Sequence, residues 1–466
     1  MNFSVIIIGA GAAGLLAARE LSAAGLSVLV LEAAAMPGGR IFTLEDKGFS
    51  GYVEAGAEFV HGALPITLQL LKEGGISYRP IKGRMVQVQK GEWGKQNMFA
   101  GEWDELMEKM QALEEEGPEK DIPIADFLAR EFPGEKHAGL RMSVQRFAEG
   151  YDLADIGTAS TLALHKEWKE EGQEEYRING GYGRLVHFLV DQCRTMGCQI
   201  HYGSPAKEIR WQKGRVEVVT AGGQSFAGGK LLITASLGIL QMDASSLAPP
   251  SADPSGPSQS ATSQPSQVAA SSPADPSQLT ASSGALSFYP PIPDYQRAVQ
   301  QMGYGSVIKI LIEFREPFWE DKGKGVSFIL SDEEVPTWWL QSPENSSLLT
   351  GWLTGSAMKR FRTFDKDRRM DLCLQSLASI FGRDIGFMRE QLVASYVADW
   401  PSAPYIKGGY SFDTVESENA RRLLCTPIQQ TIYFAGEALY EGPSPGTVEA
   451  AFTSGKEAAE KIIAQP

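Results

Sequence analysis

Positive charge is in short supply in this chain of 466 residues: 43 Lys and Arg stand against 57 Asp and Glu, a formal charge of −14. That balance disfavours nucleic acid and anionic membrane surfaces as partners and mildly favours cationic small molecules. Cysteine is scarce too. Cys193, Cys198, Cys373 and Cys425 form no C-x-x-C pair and no disulfide framework, which suits a reducing compartment. No zinc-type spacing links His187 and His201 to Cys193 and Cys198, so no metal site is expected, and Cys193 falls on the apolar stripe of a helix. No uninterrupted apolar run is long enough to span a bilayer. The apolar N-terminus has no basic leader region, and charges interrupt the stretch from Glu457 to Pro466. A soluble, cytoplasmic protein is the expectation. Lys and Arg vanish altogether between Lys230 and Arg297, and from Ala244 to Ser287 the composition collapses to Ser, Pro, Ala and Gln. Such a segment buries too little apolar surface to offset its ordering entropy, so a disordered insert over 244–287 is expected.

Glycine, by contrast, is placed with purpose in the first forty residues. The apolar run Val5 to Ile8 stops at Gly9, helix-forming residues follow from Ala12 to Ala24, and Gly25 leads into a second apolar run, Val28 to Leu31, that delivers Glu32. The pattern is a βαβ unit with G-x-G-x-x-G at Gly9, Gly11 and Gly14. Gly9 allows the tight turn, Gly11 lets backbone approach a pyrophosphate, and Gly14 lets the helix pack closely on the strand. The helix N-terminus faces the negative charge, and Glu32 accepts hydrogen bonds from a ribose. Two further elements follow: Pro37-Gly38-Gly39-Arg40, and Glu54-Ala-Gly56-Ala57-Glu58-Phe59-Val60-His61-Gly62. The glycines free the backbone to pass near a cofactor, and Arg40 supplies a fixed cation for a diphosphate.

With these residues the chain resembles the flavin-dependent amine oxidases, a family that includes monoamine oxidases, polyamine oxidases and flavin histone demethylases. Two more stretches carry the resemblance: Gly305-Ser-Val-Ile-Lys309 with Glu316-Pro-Phe-Trp319, and Tyr433-Phe-Ala-Gly436-Glu437-Ala with Pro445-Gly-Thr447-Val448-Glu-Ala-Ala451. The resemblance implies an α/β fold in which a discontinuous Rossmann-like FAD-binding domain (1–77, 180–243 and 405–466) joins an α+β substrate-binding domain (78–179 and 288–404). It implies cofactor contacts from Gly9, Gly11, Ala13, Gly14, Glu32, Ala33, Gly38, Gly39, Arg40, Gly56, Ala57, Glu58 and Phe59. Ala206 meets the adenine, Trp400 lies on the approach to the flavin, Gly436-Glu437 lies along the ribityl-phosphate, and Thr447-Val448 meets the pyrimidine ring. Little of the resemblance falls between Met85 and Tyr176.

The implied chemistry centres on Lys309, Tyr410, His61 and Thr447. Alternation alone would place Lys309 on the solvated side of its strand; in the family the equivalent lysine holds a water at flavin N5. Tyr410 matches one aromatic wall beside the substrate amine, where a π-face suits developing positive charge. The second wall maps to Thr447, as in polyamine oxidases and histone demethylases. Gly409 stands where monoamine oxidases carry a flavin-bound cysteine, so noncovalent FAD is implied, and the charged C-terminus lacks their tail anchor. His61 has two readings: an imidazole that keeps the substrate amine unprotonated, or a loop residue with a structural hydrogen bond. Trp338 and Trp339 are plausible pocket walls, but paired tryptophans more often serve core or lobe packing, and they stay outside the candidate set. The family implies a small amine and dioxygen as reactants. A desaturase or porphyrinogen oxidase of the same fold, and a catalytically idle flavoprotein, remain as alternatives, whereas an amino-acid oxidase needs a carboxylate-binding arginine that no motif supplies.

Overall fold

The strands Val5–Ile8 and Val28–Leu31 are apolar at every position, the pattern of a parallel strand covered on both faces. In the computed structural model, which describes residues 2–45, 47–95, 102–169, 174–242, 284–341 and 346–465, they are neighbouring inner strands of an eight-stranded sheet. Strand Asn2–Ile8 pairs in parallel with Val28–Leu31 on one side and Ser225–Ile233 on the other. Gln199–His201 extends the first edge, and Ile432–Phe434 joins Ser225–Ile233 in parallel. Two antiparallel strands, Arg215–Thr220 and Ala206–Gln212, carry the sheet onward. Alternate residues of the first strand feed two separate cores. Val5 and Ile7 pack beneath the helices Ala12–Ala23, Gly183–Thr195 and Val448–Ile463, whereas Ile6 and Ile8 face Ile209, Val218 and Val299. Helices Ala12–Ala23 and Val448–Ile463 cross closely: a Cβ on Gly455 would sit 2.3 Å from the Ala13 carbonyl oxygen.

The expected insert mostly falls on 243–283, outside the described residues. Its last four residues correct the boundary. Ala285 and Leu286 are buried, and Ser287 opens a strand, Ser287–Tyr289, that pairs in parallel with Ala206–Gln212. The following helix, Pro293–Gln300, buries Ala298 and Val299 in the same core as Ile6. Residues 287–300 therefore pack on the first sheet, not on the second lobe to which the sequence assigned 288–404.

The second lobe is built on a seven-stranded sheet ordered Leu392–Asp399, Val307–Phe314, Leu348–Thr354, Thr337–Leu340, Val326–Ser331, Arg84–Gln89 and Glu92–Lys95. Only Val326–Ser331 with Arg84–Gln89 is parallel. Every residue of Val307–Phe314 is buried, because one face meets Trp338, Leu377 and Phe381 while the other meets the cofactor lobe. A helical cluster covers the end: Glu102–Glu116, Ile124–Glu131, Ala138–Gly150 and Thr161–Lys169. The charged first helix buries only Leu106, Met110 and Leu113, one stripe at helical spacing, against Phe127, Val144 and Trp168. A small sheet of Phe59–His61, Glu175–Ile178 and Tyr78–Pro80 ties the lobes together. No helix among the described residues is long and apolar enough to cross a membrane.

Candidate active site

One cavity of about 1390 Å³ runs between the lobes. Its walls gather residues from the start, middle and end of the chain. Of the sequence-predicted set, Gly9, Gly11, Ala13, Glu32, Ala33, Gly38, Gly39, Arg40, Gly56, Ala57, Glu58, Phe59, His61, Ala206, Lys309, Trp400, Tyr410, Gly436, Glu437, Thr447 and Val448 all line it. Gly14 does not line the cavity; a Cβ there would meet the Gly9 carbonyl oxygen at 2.0 Å, so it serves the strand–helix contact.

The glycines divide by what a side chain would strike. At Gly14, and at Gly56 where a Cβ would come within 2.0 Å of the Arg40 carbonyl oxygen, the fold itself forbids one. At Gly11 and Gly39 the nearest protein atom to an added Cβ is 3.8 Å and 3.7 Å away, and at Gly436 nothing lies within 4 Å. These three glycines line a cradle that a Cβ would fill. Helix Ala12–Ala23 starts at Gly11 with no side-chain cap, leaving its first amides for a ligand. Glu32 closes this end by accepting from the Ala10 and Ala34 amides at 2.7 Å each, while burial lifts its pKa. The residues fit a flavin dinucleotide.

Farther along, Arg40 donates to the Gly409 carbonyl at 2.9 Å and to Glu437 Oε1 at 2.6 Å. Ser411 Oγ donates to the other Glu437 oxygen at 2.6 Å. Thr447 is the N-cap of Val448–Ile463: its hydroxyl accepts from the Ala450 amide at 3.1 Å and donates to Ser444 O at 2.7 Å. Trp400 is pinned by its indole N–H on Ala55 O at 3.0 Å.

Lys309 overturns the alternation reading. It is 1% exposed, and its Nζ donates to Glu58 Oε2 at 2.7 Å and Gly56 O at 3.0 Å. Burial opposes the Glu58 charge, but Lys309 and Arg177 outweigh it and hold that carboxyl below its usual pKa. One contributor was not singled out from the sequence, and another was weighed there as a pocket wall but left out of the candidate set. Arg177, the first, donates to Glu58 Oε1 at 3.0 Å, and Trp339, the second, lies on the cavity wall with Lys309 Nζ 5.3 Å from its ring. Trp338 does belong to the core, its indole N–H on Val335 O. Tyr410 donates its hydroxyl to the Tyr151 carbonyl, and its ring sits against Gly446. His61 Nδ1 lies 2.8 Å from Glu175 Oε1, and its ring meets Phe59 edge-on.

Both lobes and this shared cavity define a flavoprotein oxidoreductase fold. The family model described as "Flavin containing amine oxidoreductase" matches residues 12–268 and 267–463, and the chain belongs to that family. Lysine-specific histone demethylase 1B of Mus musculus is 26% identical over 495 residues, covering 99% of this chain and 53% of that protein. Polyamine oxidase 2 of Arabidopsis thaliana is 24% identical, covering 98% of this chain and 87% of that protein. The chain thus spans about half the length of the demethylase relative. Among solved structures, wild-type putrescine oxidase bound to putrescine superposes with a TM-score of 0.74 at 21% identity over both full chains. Cyclohexylamine oxidase from Brevibacterium oxydans gives 0.74 at 20% identity, covering 100% of this chain and 99% of that one.

Proposed function

We propose that the chain is an FAD-dependent amine oxidase with a noncovalently held cofactor, acting on a primary or secondary amine of the polyamine type. The observation that carries this reading is convergence: Arg40, Lys309 and Tyr410, from the start, middle and end of the chain, line one cavity. The charge of that cavity supports an amine. Nine carboxylates line it against three permanent cations, Arg40, Arg146 and Lys309, and two of those cations are paired, with Glu437 and Glu58. Such a field raises the local concentration of a cation.

In this reading Gly9, Gly11 and the adjoining helix N-terminus hold the pyrophosphate, with Glu32 on a ribose and Ala206 at the adenine. Arg40, Gly436 and Glu437 border the ribityl-phosphate, and Thr447 and Val448 the pyrimidine edge. Noncovalent attachment is supported at Gly409: a Cβ there would meet Leu153 Cδ1 at 2.5 Å, and no cysteine lines the cavity. The chemistry FAD supplies when bound is acceptance of a hydride from the carbon alpha to the nitrogen, with reoxidation by dioxygen to peroxide and hydrolysis of the imine in water. The protein does the rest. The Tyr410 ring offers a π-face to a nitrogen gaining positive character. Glu175 is an acceptor, so neutral His61 carries its proton on Nδ1 and leaves Nε2 to accept one from the substrate ammonium. Lys309 offers a fixed N–H donor at the inner wall.

The test is spectroscopic. Purified protein is expected to show flavin bands that acid precipitation releases into solution, and anaerobic addition of diamines or polyamines should bleach them. A methylated lysine peptide forms the second arm, since the relatives include demethylases. Coloured protein that no amine bleaches would leave the desaturase and binding-module alternatives standing.

A further inference from the structure

Three charged side chains with almost no solvent contact meet at the cavity wall: Lys309 at 1% exposure, Glu58 and Arg177 at 5% each. The Glu58 carboxylate takes Lys309 on one oxygen and Arg177 on the other, at 2.7 Å and 3.0 Å. Trp339 Nε1 reaches both oxygens at 3.1 Å. Glu58 is therefore a counter-ion to two buried cations, and Lys309 depends on it, because removing one partner of a buried pair strands the other's charge. An ammonium has three N–H bonds. Glu58 and the Gly56 carbonyl occupy two of those on Lys309, and the residue lines the cavity.

We propose that Glu58 is a positioning residue: it holds Lys309 as an ammonium group, oriented so that its third N–H faces the cavity as a permanent donor and not as a base. The proposal rests on the amine oxidase reading. Its physical core is the dependence of one buried charge on another. Other titratable groups near the pair are Glu54, which interacts electrostatically with both, and the His61–Glu175 couple on the strands beside Glu58 and Arg177.

The experiment compares flavin-loaded wild type, Glu58→Gln, Lys309→Met and the double variant by thermal unfolding between pH 7 and 10. In Glu58→Gln the lysine, left beside Arg177, gives up its proton in the folded state but regains it on unfolding below its free pKa of about 10.4. Protons then favour the unfolded chain, so the Tm gap to wild type should widen by about 5 °C from pH 10 to pH 7. Between Lys309→Met and the double variant the gap should stay flat. Anaerobic bleaching by an amine should also acquire a new ionisation in Glu58→Gln, its rate falling about tenfold more at pH 9 than at pH 7 relative to wild type. A gap independent of pH, or one that widens equally in the Lys309→Met background, overturns the proposal. If no amine bleaches wild-type protein, the functional reading fails, while the unfolding series still decides whether Glu58 controls the Lys309 charge.

Discussion

The Arg40 guanidinium lies 2.6 Å from the Glu437 carboxylate, joining the loop after the first βαβ unit to the strand end that precedes the last helix. Glu437 is nearly buried, its side chain 4% exposed, whereas Arg40 keeps 28%. Arg40→Ala leaves that carboxylate with Ser411 alone and should cost about 2–3 kcal/mol, at the low end for a buried pair because solvent reaches the arginine. Urea unfolding measures it. Adding Glu437→Gln should recover part of the loss by removing the stranded charge, and both variants should copurify with less flavin, read from the ratio of visible to ultraviolet absorbance.

The glycines predict a split between folding and binding. Gly14→Ala drives a methyl to within 2.0 Å of the Gly9 carbonyl, so soluble yield should collapse. Gly11→Ala meets no protein atom closer than 3.8 Å. It should fold with an unchanged circular dichroism spectrum yet lose flavin affinity by at least about tenfold, since the methyl occupies space the pyrophosphate needs. Titration of apoprotein with FAD, followed by flavin fluorescence, separates the two.

Local signals carried most of what the sequence revealed. The turn at Gly9, the helix from Ala12 and the acid at Glu32 all lie within one βαβ unit, where spacing and conformational demand are enough. Lys309 needed more than spacing. Its strand is covered on both faces, so alternation pointed the wrong way and only the resemblance placed it at the cavity. Arg177 escaped, and Trp339 could not be told from a packing tryptophan, for another reason: they meet Glu58 across 119 and 281 residues of chain, and no local pattern encodes such contacts. The same holds for the strand Ser287–Tyr289. It follows a segment without apolar character and joins a sheet whose other members end before residue 234 or begin after 431.

Glu54 gives the molecule a pH dependence near neutrality. Burial pushes its pKa up to about 7, against the opposing hydrogen bonds from the Tyr182 amide and Thr43 hydroxyl. The folded chain therefore binds this proton more tightly than the unfolded chain, where a glutamate titrates near 4.3. Stability present at pH 4–5 is lost as pH rises towards 7, by up to on the order of 3 kcal/mol. Glu54→Gln should flatten that slope. Urea midpoints measured from pH 5 to 8 check it, and a parallel decline in wild type and variant would assign the slope elsewhere.

The cavity's charge predicts how substrates will be told apart. Its lining carboxylates include Glu149, Glu167, Glu174, Glu175, Asp332 and Glu333 on the second lobe, with Arg146 the one lining cation there that Glu58 does not hold. A diamine carries two positive charges into this field and a monoamine one, so screening should separate them. Raising ionic strength from about 0.05 to 0.5 M shortens the Debye length from about 14 to about 4 Å. The expected result is a loss of kcat/KM of about tenfold for a diamine and about threefold for a monoamine, carried mainly by KM. Reversing the exposed Glu174 to lysine should reproduce part of that loss at low salt and reduce the further effect of added salt. Steady-state peroxide release, measured at both salt concentrations, tests the point. Equal salt dependence for the two amines would mean that the acidic walls do not steer the substrate, leaving selection to the shape of the pocket around Tyr410 and Trp339.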